Sequence, residues 1–138
     1  GAQLVAVHDT GPLGDLLVEV ADEAAVRALT PDLTTLGRLP YRGFIVTAPA
    51  TDPAAAGAGY DYVSRTFGPS VGIPEDPVTG SAHTALAPLW SGRLGRNSLT
   101  GLQCSARSGS VRTTLRGART ELTGSAVTVL DAQLLTEF

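Results

Sequence analysis

Methionine is absent from the 138 residues, cysteine and tryptophan occur once each, and three tyrosines and three phenylalanines complete the aromatics. The single thiol, Cys104, cannot close an internal disulfide and excludes chemistry that needs two cysteines within one chain. Positive charge is also scarce. The formal net charge is −3 and the arginines are thinly spread, so no basic stripe with interleaved aromatics offers itself to nucleic acid. No apolar run approaches the ~20 residues that span a bilayer, and no charged segment followed by an apolar one opens the chain. The sequence therefore reads as soluble and cytoplasmic, with neither nucleic acid nor membrane as a partner. Without methionine, Gly1 is not the encoded start, and the strand-like Leu4-Val5-Ala6-Val7 begins with no lead-in. A piece of a longer protein is expected.

What is present is enough for a core. A hydrophobic fraction of 43% against 17% charged residues describes a globular chain, and its length fits a single domain over residues 1–138. Residues 3–7 and 16–20 read as strands joined by a turn containing Gly11, Pro12 and Gly14. Asp22 is suited to cap a short helix through Val26 and Leu29, and Thr30-Pro31 restarts a helical turn through Leu33 and Leu36. Residues 43–47 form another strand, followed by an Ala/Gly/Pro loop over residues 51–59 that is expected to be mobile. Residues 61–67 alternate, with Tyr62, Ser64 and Thr66 on one side and Val63, Arg65 and Phe67 on the other.

From Ser81 to about Leu94 the apolar positions Ala82, Ala85, Leu86, Ala87, Leu89 and Trp90 nearly encircle a helix, which predicts burial on all sides. Pro88 inside it predicts a kink or an early end. Short strands follow over residues 99–105, 110–115, 120–122 and 126–130. Strands before and after one enclosed helix predict an α+β fold: a curved antiparallel sheet, or barrel, wrapped around a central helix.

One stretch stands apart: Gly72-Ile73-Pro74-Glu75-Asp76-Pro77-Val78-Thr79-Gly80-Ser81-Ala82-His83. Pro74 and Pro77 fix φ on either side of two carboxylates, so Glu75 and Asp76 are presented by a stiff loop. Thr79, Gly80 and Ser81 supply hydroxyls suited to N-capping and a glycine that admits a ligand to the start of a helix. The first N–H groups of a helix lack internal partners and carry the positive end of its dipole, so a carboxylate or phosphate can dock there. Each residue also has a plainer use. Asp76 before Pro77 is a common cap-and-proline start, His83 is more often a hydrogen-bonded core histidine than a proton carrier, and Cys104 is a small buried apolar residue. His8, with no metal-ligand spacing nearby, is structural.

This stretch closely resembles the signature of the PhzF-like isomerase family of phenazine biosynthesis, relatives of diaminopimelate epimerase. The similarity extends to Ser64-Arg65-Thr66-Phe67 upstream and to Ala87-Pro88-Leu89-Trp90, Gln103-Cys104-Ser105-Ala106-Arg107 and residues 122–129 downstream. Proteins of that family have two similar halves, each a barrel-like sheet around a central helix, with the active site between them. This chain resembles the C-terminal half. The resemblance implies cofactor-independent proton transfer on a small carboxylate-bearing metabolite, with Asp76 facing a general acid/base glutamate of the N-terminal half. Gly80 and Ser81 would offer donors to the substrate carboxylate, with Thr79 and His83 beside them; Glu75 is expected to point elsewhere, and Cys104 is not mapped onto the paired cysteines of the epimerases. The implied partner is an N-terminal half on a separate or severed chain, or a second copy of this chain in a homodimer. A non-catalytic module that binds small anions is the alternative. The face that meets the other half should be unusually apolar.

Overall fold

The computed structural model describes residues 2–51, 59–133 and 135; residues 52–58 of the expected Ala/Gly/Pro loop lie outside them. The chain runs β1 (Leu4–Asp9), β2 (Asp15–Val20), α1 (Glu23–Arg27), α2 (Leu33–Leu36), β3 (Gly43–Pro49), β4 (Tyr62–Gly68), β5 (Ile73–Asp76), α3 (Gly80–Leu94), β6 (Ser98–Gln103), β7 (Gly109–Arg116) and β8 (Arg119–Thr123). The eight strands form one sheet in the order β1-β2-β3-β4-β6-β7-β8, with β5 also on β4. Among the described residues β1 and β8 are edges that do not meet, so the sheet is open and not a closed barrel.

The sheet is mixed rather than antiparallel, because β2 pairs β3 in parallel and β4 pairs β6 in parallel. The connections explain this. A hairpin returns antiparallel, as β1 does with β2, whereas a crossover long enough to carry a helix delivers its next strand parallel. Helices α1 and α2 lie between β2 and β3, and α3 lies between β5 and β6.

Strand alternation sorts the core into two layers. Leu17, Ile45, Tyr62 and Leu99 face α3 and pack on Ala82, Leu86 and Trp90. Val20, Ala48 and Val63 point the other way and pack on Val26 of α1, whose first turn is capped by the Asp22 carboxylate accepting from the Ala25 N–H at 2.7 Å. With both faces covered, β3 and β4 are buried along most of their length. Full burial of a side chain such as Leu86 or Leu99 contributes roughly 1.5–3 kcal/mol. Tyr62 stacks on Trp90 with ring centroids 5.7 Å apart, and the indole N–H donates to Thr47 Oγ1 at 2.9 Å.

Four expectations are corrected here. Helix α3 is not enclosed on all sides, since Thr84 and Pro88 are exposed. That exposure is also why Pro88 does not end it: the carbonyl that loses its partner is that of Thr84, which water can reach, and the helix continues to Leu94. Residues 73–76 are not loop but β5, held antiparallel on β4. Finally, residues 126–130 form no strand; their alternating valines meet no ladder partner, and Val127 and Val129 stay exposed.

Candidate active site

Asp76 closes β5, and α3 begins after three intervening residues. Between them the loop is fastened from the far side by β6. Gln103, fully buried, accepts the Thr79 N–H at 2.8 Å and donates through Nε2 to the Asp76 carbonyl at 2.7 Å. Ser105 adds a hydroxyl that donates to the Pro77 carbonyl at 2.7 Å. Buried hydrogen bonds of this kind fix a loop because leaving any member unpaired is costly.

Thr79 occupies the N-cap position of α3, yet its hydroxyl does not cap. It donates to Asp76 Oδ2 at 2.6 Å and accepts from Gln103 Nε2 at 3.1 Å, so it holds the carboxylate in place. The first turn of α3 is consequently left without a side-chain cap. Its donors and the positive end of a 15-residue helix open onto a cavity of about 280 Å³ whose lining includes Asp76, Thr79, Gly80, Ser81 and Thr66.

Two further charged residues line the same cavity. Asp15, at the start of β2 and 1% exposed, is held by a two-pronged ion pair in which Arg42 Nε lies 2.9 Å from Oδ1 and Nη2 reaches Oδ2. This hydrogen-bonded partner raises the Arg42 pKa further above its already high value. Arg42 Nη2 also lies 3.3 Å from Ser81 Oγ. Guanidinium can only donate, so Ser81 Oγ accepts there and its own proton remains for an acceptor elsewhere.

Of the residues singled out from sequence, Asp76, Thr79, Gly80 and Ser81 come together at this cavity and His83 does not line it. His83 is fully buried behind the first turn, with Nδ1 3.0 Å from the Tyr62 hydroxyl, and burial drives its pKa down to about 4, leaving it neutral at pH 7. Burial also pushes the Tyr62 phenol up. Glu75 turns to the opposite side, where Arg65 Nε and Nη2 bind its carboxylate at 2.7 and 2.9 Å and Arg65 Nη1 donates to the Leu29 carbonyl at 2.8 Å. Asp15, Arg42, Thr66 and Gln103 escaped the sequence reading of the site. They come from β2, the residue before β3, β4 and β6, and only the pairing of strands brings them together around the site.

A larger cavity of about 440 Å³ lies beside the exposed stripe of α3, lined by His8, Asp9, Thr84 and Pro88 among others. It borders the middle of the helix rather than its donor end and carries no comparable convergence. Among the described residues no group of three or more His, Cys, Asp or Glu side chains is placed to hold a metal ion, and no helix is long and apolar enough to cross a membrane.

An open mixed sheet cupping one helix, with a held carboxylate beside that helix's uncapped N-terminus, defines the architectural class: an α+β unit with a site at the helix start. The chain belongs to the PhzC-PhzF family of phenazine biosynthesis-like proteins, whose family model matches residues 1–132. It is 48% identical over 124 residues to an uncharacterized isomerase of Pseudomonas aeruginosa, a match covering 90% of this chain and 45% of the relative. It is 41% identical over 121 residues to an uncharacterized isomerase of Halalkalibacterium halodurans, covering 88% and 44%. Its fold is similar to the crystal structure of a PhzF-family phenazine biosynthesis protein from Enterococcus faecalis, with a TM-score of 0.73 and 32% identity over 92% of this chain and 48% of that one. The chain thus spans about half the length of the curated relatives it matches.

Proposed function

We propose that this chain forms one half of a cofactor-independent isomerase site that moves a proton along a small carboxylate-bearing metabolite. The reading rests on one observation above others: a carboxylate, Asp76, and the uncapped first turn of α3 open onto the same cavity. In this reading the substrate carboxylate docks on the donors of Gly80 and Ser81. Asp76, oriented by the Thr79 hydroxyl, faces a general acid/base glutamate supplied by a counterpart half, on the same polypeptide or another. Proton transfer by a positioned group of suitable pKa contributes typically ~10²–10⁴ in rate. His83 acts at a remove, by fixing Tyr62 and the start of the helix. The relatives' description as isomerases and the half-length coverage support this assignment of parts.

The test is exchange of substrate carbon-bound hydrogen with D₂O, read by mass spectrometry on a panel of small carboxylates, with and without the N-terminal half of a PhzF-family relative. Exchange is expected only with both halves present, and it should fall by about 10²-fold or more in the Asp76→Asn variant. Full activity of this chain alone would overturn the half-site. Exchange indifferent to Asp76→Asn would remove the catalytic role of the carboxylate.

A further inference from the structure

We propose that Thr66 is a ligand-contacting residue of this site, and that its hydroxyl selects substrates carrying a hydrogen-bonding substituent on the carbon next to the carboxylate. This rests on the reading of the α3 N-terminus as a carboxylate site and adds to it the chemistry of the neighbouring atom.

The argument starts from a buried hydroxyl with nothing to bind. Thr66 is 6% exposed, and its Oγ1 has no hydrogen-bond partner in the protein. Threonines buried in strands elsewhere in the molecule are satisfied close by: Thr47 Oγ1 donates to the Val63 carbonyl at 2.7 Å, and Thr113 Oγ1 to the Leu99 carbonyl at 3.4 Å. Buried polar groups are nearly always paired, and an exception calls for a reason. The hydroxyls of Ser64 and Ser91 and His83 Nε2 are also unpartnered, but none of those residues lines the cavity, and Thr66 does.

Its position gives the reason. Thr66 lies directly opposite Asp76 in the β4–β5 ladder, and residues so paired project their side chains to the same face of the sheet. Asp76 does not take up the threonine hydroxyl: no hydrogen bond joins the two, and the carboxylate binds the Thr79 hydroxyl instead. The cavity of about 280 Å³ is thus lined by a held carboxylate and by a threonine whose hydroxyl is unpartnered, beside the uncapped helix start. A ligand carboxylate anchored on Gly80 and Ser81 places its adjacent carbon toward this pair. Thr66 Oγ1, able both to donate and to accept, is then matched to a hydroxyl or amine on that carbon. A site built to hydrogen-bond such a group discriminates against the analogue that lacks it.

Lactate and propionate differ only in that hydroxyl and serve as probes, titrated into the full chain while the amide ¹⁵N shifts of Gly80 and Ser81 are followed. The wild-type chain is expected to prefer lactate by about tenfold, Thr66→Val to bind the two alike without a lower Tm, and Thr66→Ser to restore the preference. The Tm is informative because valine removes an unpartnered buried hydroxyl at nearly constant shape. Equal binding of both probes by the wild-type chain, or a preference that survives Thr66→Val, overturns the role of Thr66 and leaves the carboxylate site standing. Absence of any shift at Gly80 and Ser81 with either probe overturns both.

Discussion

Gly80 has ordinary helical backbone, and a Cβ built on it would meet nothing closer than Leu122 Cδ1 at 3.8 Å. Neither conformation nor packing within this chain asks for glycine there, whereas a ligand seated on the first turn would. Gly80→Ala is therefore expected to leave thermal stability within about 1 kcal/mol of wild type, since alanine is the better helix former. The same change should cost the assembled enzyme on the order of 10²-fold in kcat/KM, the scale of a misplaced substrate. Parallel melting curves and exchange rates check the split; a folding defect with unchanged specific activity would place the glycine in packing after all. In the proposed site Ser81 and Asp76 would carry the complementary roles, one as a donor whose proton Arg42 leaves unused, the other as a carboxylate that the Thr79 hydroxyl binds.

At the scale of elements, β4 divides its neighbours. One edge runs along β3 from Tyr62 to Phe67, while the other pairs with β6 over Tyr62, Val63 and Ser64 and with β5 at Thr66 and Gly68. The β4–β6 contact depends on Gly101. A Cβ there would lie 2.4 Å from Tyr62 Cε2, and that ring cannot retreat because it is buried against Trp90. Gly101→Ala should destabilise the fold by about 1–3 kcal/mol, measured by chemical denaturation, and a neutral result would show that the Tyr62–Trp90 stack yields.

Much of this architecture could be read in advance, and particular residues show where the reading stopped. The long apolar run of α3, the Asp22 cap and the alternation of Tyr62, Ser64 and Thr66 are local signals, and local signals are what a sequence displays. Strand direction is not local: alternation is the same for parallel and antiparallel partners, so the crossovers went unread. Pro74 and Pro77 made residues 73–76 resemble a loop, although an edge strand tolerates Pro74 and Pro77 lies just past its end. Residues 126–130 have the composition of a strand but no partner, and composition alone does not make a ladder. The site divided along the same line, with Asp76, Thr79, Gly80 and Ser81 contiguous and visible. Asp15, Arg42 and Thr66, which line the cavity, and Gln103, which fastens its loop, were hidden because they come from separate parts of the sheet.

Across the whole molecule, the buried imidazole of His83 ties stability to pH. Its folded pKa of about 4 lies below its ordinary value of 6.5, so below pH 6.5 the unfolded chain binds the proton that the folded chain refuses. The contribution is fully present above pH 6.5 and is lost progressively as the pH falls toward 4, by up to about 3 kcal/mol at the low end. Denaturation midpoints followed from pH 7 to pH 4 should show this acid limb, and His83→Gln should flatten it. An unchanged slope in the variant would assign the limb to carboxylates instead.

The division of β4's edge has a last consequence. The β6–β8 meander joins the rest of the sheet over three ladder pairs, and Gln103, which fastens the Asp76–Thr79 loop, sits at the end of that junction. The seam therefore ends at a loop whose Asp76 and Thr79 line the cavity. A ligand held at Asp76 and the start of α3 would steady that loop and with it the Gln103 clamp, so occupancy of the site and cohesion of the sheet would rise and fall together.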